Sequence, residues 1–191
     1  MLRVLLVNDT HKQVGRLRIA LMQAGCEVVE EVSSALMIPR RVADLRADVV
    51  IIDTESPSRD VLEQICVVSQ DEPRPIVMVS EDTQPAAIKA AIKAGVSAYV
   101  VEDIDSARLS AVLDVAQARF EQDQALLQQV RQAELRLNER KTVERAKGIL
   151  MQLRQMNEAE AYHAMRKMAM DRNIRIIDVA QKLLAMNELL A

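Results

Sequence analysis

Five short runs rich in β-branched residues alternate with longer helical patterns over about the first 105 residues, and this alternation constrains the fold most. The runs are residues 3–7, 27–32, 49–52, 76–79 and 98–101. Each segment between them is long enough to hold a crossover helix, which parallel strands require. We therefore predict an α/β domain with a doubly wound, five-stranded parallel sheet.

The chain changes character after this region. All five prolines lie within the first 85 residues, and only Gly95 and Gly148 interrupt the sequence after them. Residues 1–120 carry 13 basic and 18 acidic side chains, whereas residues 138–191 carry 10 basic and 7 acidic ones. The pattern predicts a second, helical unit that is more basic than the first.

Composition argues against several classes of function. Cys26 and Cys66 form no metal-binding or disulfide pattern, and they suit a reducing, cytoplasmic location. The low aromatic content of 2% disfavours a base-stacking sheet. His11 and His163 have no catalytic partners in sequence, and no phosphate-binding glycine loop is present, so we expect no enzyme and no membrane span.

One long helical pattern covers residues 105–138. Its apolar residues recur at steps of three, four or seven: Leu109, Val112, Ala116, Phe120, Leu127, Val130 and Leu137. A stripe that outlasts the sheet domain needs another surface to bury it, which favours a dimerising coiled coil, although Asp123 and Glu134 interrupt the seam. The alternative is an amphipathic linker that packs on its own chain.

The remaining residues predict a compact unit of three shorter helices. The first has an apolar stripe at Val143, Ala146, Leu150 and Leu153. Asn157 followed by Glu160 is typical of a cap at the start of the second helix, which ends at residues 171–173. The third has its own stripe, which comprises Ile174, Ile177, Val179, Ala180, Leu183 and Leu184.

Polar residues stand at or just after the ends of four predicted strands, and the carboxyl ends of parallel strands meet at one edge of a sheet. They are Asn8 and Asp9, Asp53, Ser80 and Glu102. With residues 5–9, 53–57 and 95–100, this order resembles the receiver domain of response regulators over about residues 1–118. The resemblance implies a flavodoxin-like, CheY-like fold, with Asp53 as phosphoacceptor, Asp9 as magnesium ligand, Ser80 as switch hydroxyl and Tyr99 as rotating aromatic.

Two positions depart from the receiver pattern. Asn8 replaces one of the paired acids, which lowers the charge available to a hard cation at Asp9 and Asp53. Glu102 replaces a lysine that pairs with the phosphoryl group, so an attraction becomes a repulsion of about 4 kcal/mol at about 4 Å and a dielectric of about 20. We expect a pseudo-receiver in which Asp53 is not stably phosphorylated and magnesium binds weakly; the alternative is a working phosphoacceptor.

Basic residues form two rows on the first tail helix. One row is Arg140, Lys147 and Arg154, and the other is Lys141 and Arg145. Such rows suit phosphate contacts, although a solvated helix face is the alternative. Glycine inside a helix costs roughly 1 kcal/mol relative to alanine, so Gly148 suggests the close approach of another helix or of RNA.

The same tail resembles the ANTAR output domain over about residues 124–186. The resemblance rests on residues 144–151, 160–162, 165–166, Asn173 and residues 178–180. It implies an antiterminator that binds tandem hairpins of leader mRNA as a homodimer and acts indirectly on the RNA polymerase elongation complex. Lys147 and Gly148 lie in the signature, and seven further residues are candidate RNA contacts: Arg140, Lys141, Arg145, Arg166, Lys167, Arg172 and Arg175. The neighbours of Tyr162 favour a core position over base stacking.

Within this family, Asn8, Glu102 and the strand at residues 98–101 look most like the NasT-type antiterminators of nitrate and nitrite assimilation. That resemblance implies control by a sensor protein that binds nitrate or nitrite and sequesters the regulator. The alternative function is a phosphorylation-controlled DNA-binding regulator, whose tail would be a helix-turn-helix. No glycine lies between the last two helices, which counts against that alternative.

Overall fold

The computed structural model describes residues 1–9, 15–101 and 105–190 of the chain. These residues belong to two compact units, Met1–Gln124 and Ala125–Ala191. Among the described residues, no helix combines the length and the apolar character needed to cross a bilayer. Each unit has its own hydrophobic core.

The first unit is built on a five-stranded sheet in the order β2-β1-β3-β4-β5. The strands are β1 Leu2–Asp9, β2 Cys26–Val32, β3 Val49–Thr54, β4 Ile76–Ser80 and β5 Ala98–Val101. All neighbouring strands are parallel. The predicted number of strands, their parallel pairing and the flavodoxin-like order are therefore confirmed.

Helices cover both faces of this sheet, which explains why its central strands are almost entirely apolar. They are α1 Gly15–Gln23, α2 Ile38–Leu45, α3 Arg59–Asp71, α4 Pro85–Ala94 and the start of α5 Ser106–Arg154, with a short 3₁₀ helix at Ala35–Met37. Leu5 and Val7 pack in the core that α2, α3 and α4 cover. Val4 and Leu6 point to the opposite face, in a core shared with α1 and α5.

Helix α5 is longer than the sequence predicted. It begins at Ser106 and ends at Arg154, so the predicted first tail helix is a continuation of it. No glycine or proline interrupts residues 138–147, and the Thr142 hydroxyl donates to the Asn138 carbonyl at 2.8 Å, within the helix. The prediction that one helix ends near Asn138 and a separate tail helix begins after it was therefore wrong.

The apolar stripe of α5 divides into two parts. Leu109, Leu113 and Ala116 are buried in the core of the first unit. Leu127 and Leu137, by contrast, are 48% and 53% exposed in the second unit. The first part of the stripe packs on its own chain, and only the second part remains available to another surface.

The core of the second unit combines the end of α5 with α6 Glu158–Asp171 and α7 Ile176–Leu190. The predicted cap is confirmed, because the Glu160 N–H donates to Asn157 Oδ1 and the Asn157 N–H donates to Glu160 Oε2, both at 2.9 Å. Leu153 was wrongly predicted as a core residue. It is 68% exposed because α5 ends one residue later and the chain turns at Gln155.

The turn between α6 and α7 is made without glycine. Asn173 adopts the left-handed conformation with φ 51°. Its N–H donates to the Met170 carbonyl at 3.2 Å, and the Ile174 N–H donates to the Ala169 carbonyl at 3.0 Å. Asparagine tolerates this conformation better than most residues. The missing glycine therefore does not count against a tight turn here.

We predict that Gly95→Ala lowers the free energy of unfolding of the first unit by more than Gly25→Ala does. Both glycines have positive φ, 118° and 78°, so both alanines carry a backbone strain of about 1 kcal/mol. Only at Gly95 would a Cβ also overlap the Ser69 hydroxyl and lie 2.9 Å from its Cβ. Urea unfolding measures both losses, and equal losses would contradict the close approach at Gly95.

Candidate phosphoacceptor edge and nucleic-acid surface

The carboxyl ends of β1, β3 and β4 bring the predicted receiver residues to one edge. Asn8 is opposite Asp53 in the strand register, and Asp9 is opposite Thr54, which is in turn opposite Ser80. The convergence expected from the sequence is therefore found for Asn8, Asp9, Asp53 and Ser80. Glu102 lies outside the described residues.

Hydrogen bonds tie the loop after β3 to the loop after β4, and we call Ser56, Ser80, Asp82 and Tyr99 the loop clasp. Ser56 Oγ donates to the Asp82 carboxylate at 2.7 Å, and Ser80 Oγ donates to the Glu55 carbonyl at 3.0 Å. The Asp82 N–H donates to Ser80 Oγ at 3.2 Å. The Tyr99 hydroxyl donates to the Asp82 carbonyl at 2.8 Å. Two of these bonds, Ser56 to Asp82 and Ser80 to Glu55, join the two loops, and the other two fix Asp82 to Ser80 and Tyr99.

Hydrogen bonds within and beside the clasp also stabilise the ionised form of Asp82. The Ser56 hydroxyl and the Gln84 N–H both donate to the Asp82 carboxylate, and they lower the pKa of that group. Ser80, which the receiver resemblance identifies as the switch hydroxyl, is only 2% exposed and is already bonded within the clasp. Sequence reasoning missed Ser56 and Asp82, because nothing in the sequence pairs two loop residues that are 26 positions apart.

The edge offers few ligands for a metal ion. Asp9 and Asp53 supply carboxylates, and Asn8 supplies an amide in place of a third acid. Over residues 1–9, 15–101 and 105–190, no three His, Cys, Asp or Glu side chains are grouped as a metal site. Since magnesium prefers charged oxygen ligands, this donor set does not fit a tightly held ion.

Lys147 lies beneath the surface of the second unit rather than in an exposed basic row. Only 7% of Lys147 is exposed. Its Nζ lies 2.6 Å from Glu144 Oε2 and 2.7 Å from Glu158 Oε1. The hydrogen bonds that the ammonium donates to Glu144 and Glu158 raise the pKa of the lysine, and Lys147 in turn lowers the pKa of Glu158. The ammonium therefore joins α5 to the first turn of α6.

The other predicted RNA-contacting side chains are exposed on the second unit: Arg140, Lys141, Arg145, Arg166, Lys167, Arg172 and Arg175. Arg175 is partly neutralised, because it lies 3.6 Å from Glu139 and 3.4 Å from Asp178. Gly148 is partly buried, yet a Cβ placed on it would meet nothing within 4 Å. The described part of this chain therefore does not make the close approach that the sequence suggested there.

Tyr162 is not a core residue, contrary to expectation. It is 47% exposed on α6, because Ala161 and Met165 occupy the buried face on either side of it. Its ring lines an open groove at the corner between α6 and α7, with Arg166 and Asn173 also in the lining. The spacing in the sequence could have indicated this exposure. Ala161 and Met165 are four residues apart and share one face of the helix, and Tyr162, between them, does not lie at the centre of that face.

Both units match known domain families. Residues 4–114 match the response regulator receiver domain, and residues 131–184 match the ANTAR domain. The chain is 30% identical over 182 residues to the transcriptional regulatory protein PdtaR of Mycobacterium tuberculosis, covering 95% of this chain and 89% of that protein. The chain belongs to the response regulators that carry an ANTAR domain. Both of its domains are thus regulatory.

Three further proteins match a smaller share of the chain. This ANTAR response regulator is 47% identical over 53 residues to the nitrate regulatory protein of Klebsiella oxytoca. The matched stretch covers 28% of this chain and 13% of that protein. The receiver domain of the response regulator NarL from Mycobacterium tuberculosis superposes with a TM-score of 0.52 at 26% identity, covering 60% of this chain and 95% of that structure. The chemotaxis response regulator CheY4 of Vibrio cholerae shares the fold at a TM-score of 0.52 and 24% identity, covering 61% and 98%.

We predict that Lys147→Met lowers the Tm of the second unit near neutral pH by more than Lys182→Met, which removes an exposed lysine from α7. The contribution of Lys147 is lost as pH rises through its raised pKa, and that of Glu158 is lost as pH falls through its lowered pKa. The Tm difference between wild type and Lys147→Met should therefore narrow at both ends of the pH range. Circular dichroism melts measure it, and a difference independent of pH would contradict the ion pairs.

Proposed function

We propose that this ANTAR response regulator is a cytoplasmic, RNA-binding transcription antiterminator that binds tandem hairpins in leader mRNA and prevents terminator formation. The observation that supports it most is the set of exposed cations within the residues matched by the ANTAR family. In this proposal, residues 1–118 are the pseudo-receiver, residues 105–138 the linking helix and residues 124–186 the RNA-binding domain. RNA polymerase is affected only through the RNA.

The exposed cations support contact with a phosphate backbone. Arg140 and Lys141 lie about one turn before Arg145 on α5, and Arg166 and Lys167 are exposed on α6. Cations spaced along a helix neutralise phosphates and release counterions, which makes binding dependent on salt. Lys147 has a different part in this proposal, because its two carboxylate partners hold α5 against α6 and so position the exposed cations.

We further propose that the active form is a homodimer joined through α5. Five large apolar side chains of the helix are exposed over less than four turns: Leu126, Leu127, Val130, Leu135 and Leu137. Three of them, Leu127, Val130 and Leu137, follow the spacing of a coiled-coil seam, at steps of three and seven. A second copy of the same helix would bury this seam and place two RNA-binding domains on one leader, as tandem hairpins require.

Control by a partner fits the receiver edge better than control by phosphorylation. Asn8 and Glu102 weaken a phosphoryl site, and the loop clasp already holds the two loops together. We propose that a sensor protein of the nitrate- or nitrite-binding type sequesters the regulator when its ligand is absent. The similarity to a nitrate regulatory protein over 53 residues supports this choice of signal.

A DNA-binding regulator remains the second candidate, because the left-handed Asn173 gives α6 and α7 a tight turn like that of a helix-turn-helix. The two candidates differ in the nucleic acid they prefer. A direct comparison of RNA and duplex DNA therefore separates them.

We predict that the full-length protein binds a tandem-hairpin leader RNA more tightly than duplex DNA, with a steep dependence on salt. Replacing Arg140, Lys141 and Arg145 together by alanine should weaken RNA binding and reduce the slope of log K against log salt by roughly 0.7–0.9 for each phosphate that is no longer neutralised. Salt-titrated fluorescence anisotropy measures both quantities.

The matched control removes two exposed arginines of the first unit, Arg40 and Arg59, whose side chains are 88% and 89% exposed. This variant should bind RNA with the wild-type slope. Equal or tighter binding to duplex DNA would reject the antiterminator in favour of the DNA-binding regulator.

We also predict that wild-type protein forms no stable acyl phosphate with acetyl phosphate and magnesium. The combination Asn8→Asp with Glu102→Lys restores a charge for the cation and removes a repulsion, so it should gain a phosphoryl group that Asp53→Ala abolishes again. Intact-protein mass spectrometry detects the modification. A stable acyl phosphate on the wild type that disappears in Asp53→Ala would show that the receiver works by phosphorylation.

A further inference from the structure

An open groove lies at the corner between α6 and α7. Its volume is about 370 Å³. Seven residues line it: Tyr162, Arg166, Ala169, Met170, Asn173, Ile174 and Ile176. The volume lies at the low end of the range of about 300–1,000 Å³ for small-ligand sites, so the groove suits a flat group of limited size.

The apolar part of this groove is unusually accessible. Tyr162 is 47% exposed and Met170 is 70% exposed, whereas Ala169 beneath them is buried in the core. The chain has only two tyrosines, one phenylalanine and no tryptophan. One of its three aromatic rings is therefore presented at the surface of the ANTAR domain, where a planar ligand can stack on it.

The polar part of the groove comes from Arg166 and Asn173. Arg166 follows Tyr162 by four residues on α6, so the guanidinium and the ring lie on the same face of the helix. Asn173 is exposed, and its backbone is fixed in the left-handed turn by the bond from its N–H to the Met170 carbonyl. An amide held on a rigid turn can donate to and accept from the edge of a base.

We propose that this groove receives one unpaired nucleobase of the bound RNA. The base stacks on Tyr162, the Asn173 amide bonds to its edge, and Arg166 contacts a flanking phosphate. This assignment rests on the proposed RNA-binding function and adds to it a subsite for single-stranded loop sequence. Unpaired bases are recognised in this way, by stacking on aromatic side chains and by hydrogen bonds along their edges.

Charge favours RNA over a peptide as the occupant. The lining contains one cation and no acid, and the exposed residues next to it in sequence include two cations, Lys167 and Arg172, and one acid, Asp171, so the balance is positive. A phosphate chain would pass these cations as it delivered a base to the groove. The neighbouring acid Asp178 lies 3.4 Å from Arg175, which partly neutralises the repulsion between Asp178 and a phosphate chain.

The test compares a tandem-hairpin RNA with versions that carry an abasic site at each loop position in turn. For wild-type protein, one abasic position should weaken binding by about tenfold. Tyr162→Ala should weaken binding to the intact RNA by a similar factor and should no longer respond to that abasic site. Its salt slope should stay at the wild-type value, because tyrosine carries no charge.

Three variants separate recognition from folding. Tyr162→Phe keeps the ring and should bind as wild type does. His163→Ala removes the exposed neighbour of Tyr162 on α6 and should have no effect. Asn173→Gly keeps the left-handed turn but removes the amide, so it should bind the loop with reduced preference among the four bases at the sensitive position.

The outcomes distinguish this inference from the function on which it rests. If wild type binds the hairpins but Tyr162→Ala binds intact and abasic RNA with unchanged affinities, the groove is not a base site and the antiterminator proposal survives. If Tyr162→Ala instead leaves RNA affinity unchanged and changes only the oligomeric state measured by sedimentation, the groove is a protein interface. If wild type does not bind hairpin RNA, both proposals fail.

Discussion

A parallel sheet that is covered on both faces can carry exposed polar groups only where its strands end. Apart from Arg3 near the start of β1, the side chains of β1, β3 and β4 are apolar and mostly buried until the last one or two positions of each strand, where polar residues appear. The strand register then decides which of these residues are neighbours. Asn8 lies beside Asp53 because β1 and β3 pair in parallel. The loops that follow β3 and β4 are close enough for the Ser56 hydroxyl to donate to Asp82.

The second unit depends on a buried charge as well as on apolar packing. Lys147 is nearly covered, and the hydrogen bonds that its ammonium donates to two carboxylates offset the cost of its desolvation. One of them, Glu158, is the first residue of α6, where a negative charge also interacts favourably with the helix dipole. The Asn157 cap fixes the same end of the helix, so the start of α6 is held from two directions.

Local patterns predicted what depends on neighbours in sequence. The five strands and the Asn157 cap follow from periodicity, β-branched runs and a four-residue motif, whereas the order of the strands follows from the resemblance to receiver domains. The sequence predicted the main buried faces of the tail helices, such as those of Ala146 and Val179, but not the exposure of every residue near those faces. Tyr162, Leu153 and Lys147 were misplaced for that reason: two apolar residues were left exposed, and a cation was buried by partners three and eleven residues away.

The loop clasp has a consequence for the timing of a response. In a receiver that works by covalent modification, the active state persists until the acyl phosphate hydrolyses, so the protein retains a record of a past signal. Here the groups that would rearrange around such a phosphate are already bonded to one another, from Ser80 to Glu55 and from Tyr99 to Asp82. In the regulator proposed above, which responds to a partner instead, no such record would be kept. Its output would follow the partner's occupancy at each moment, and the dissociation rate of that partner would set how fast transcription responds.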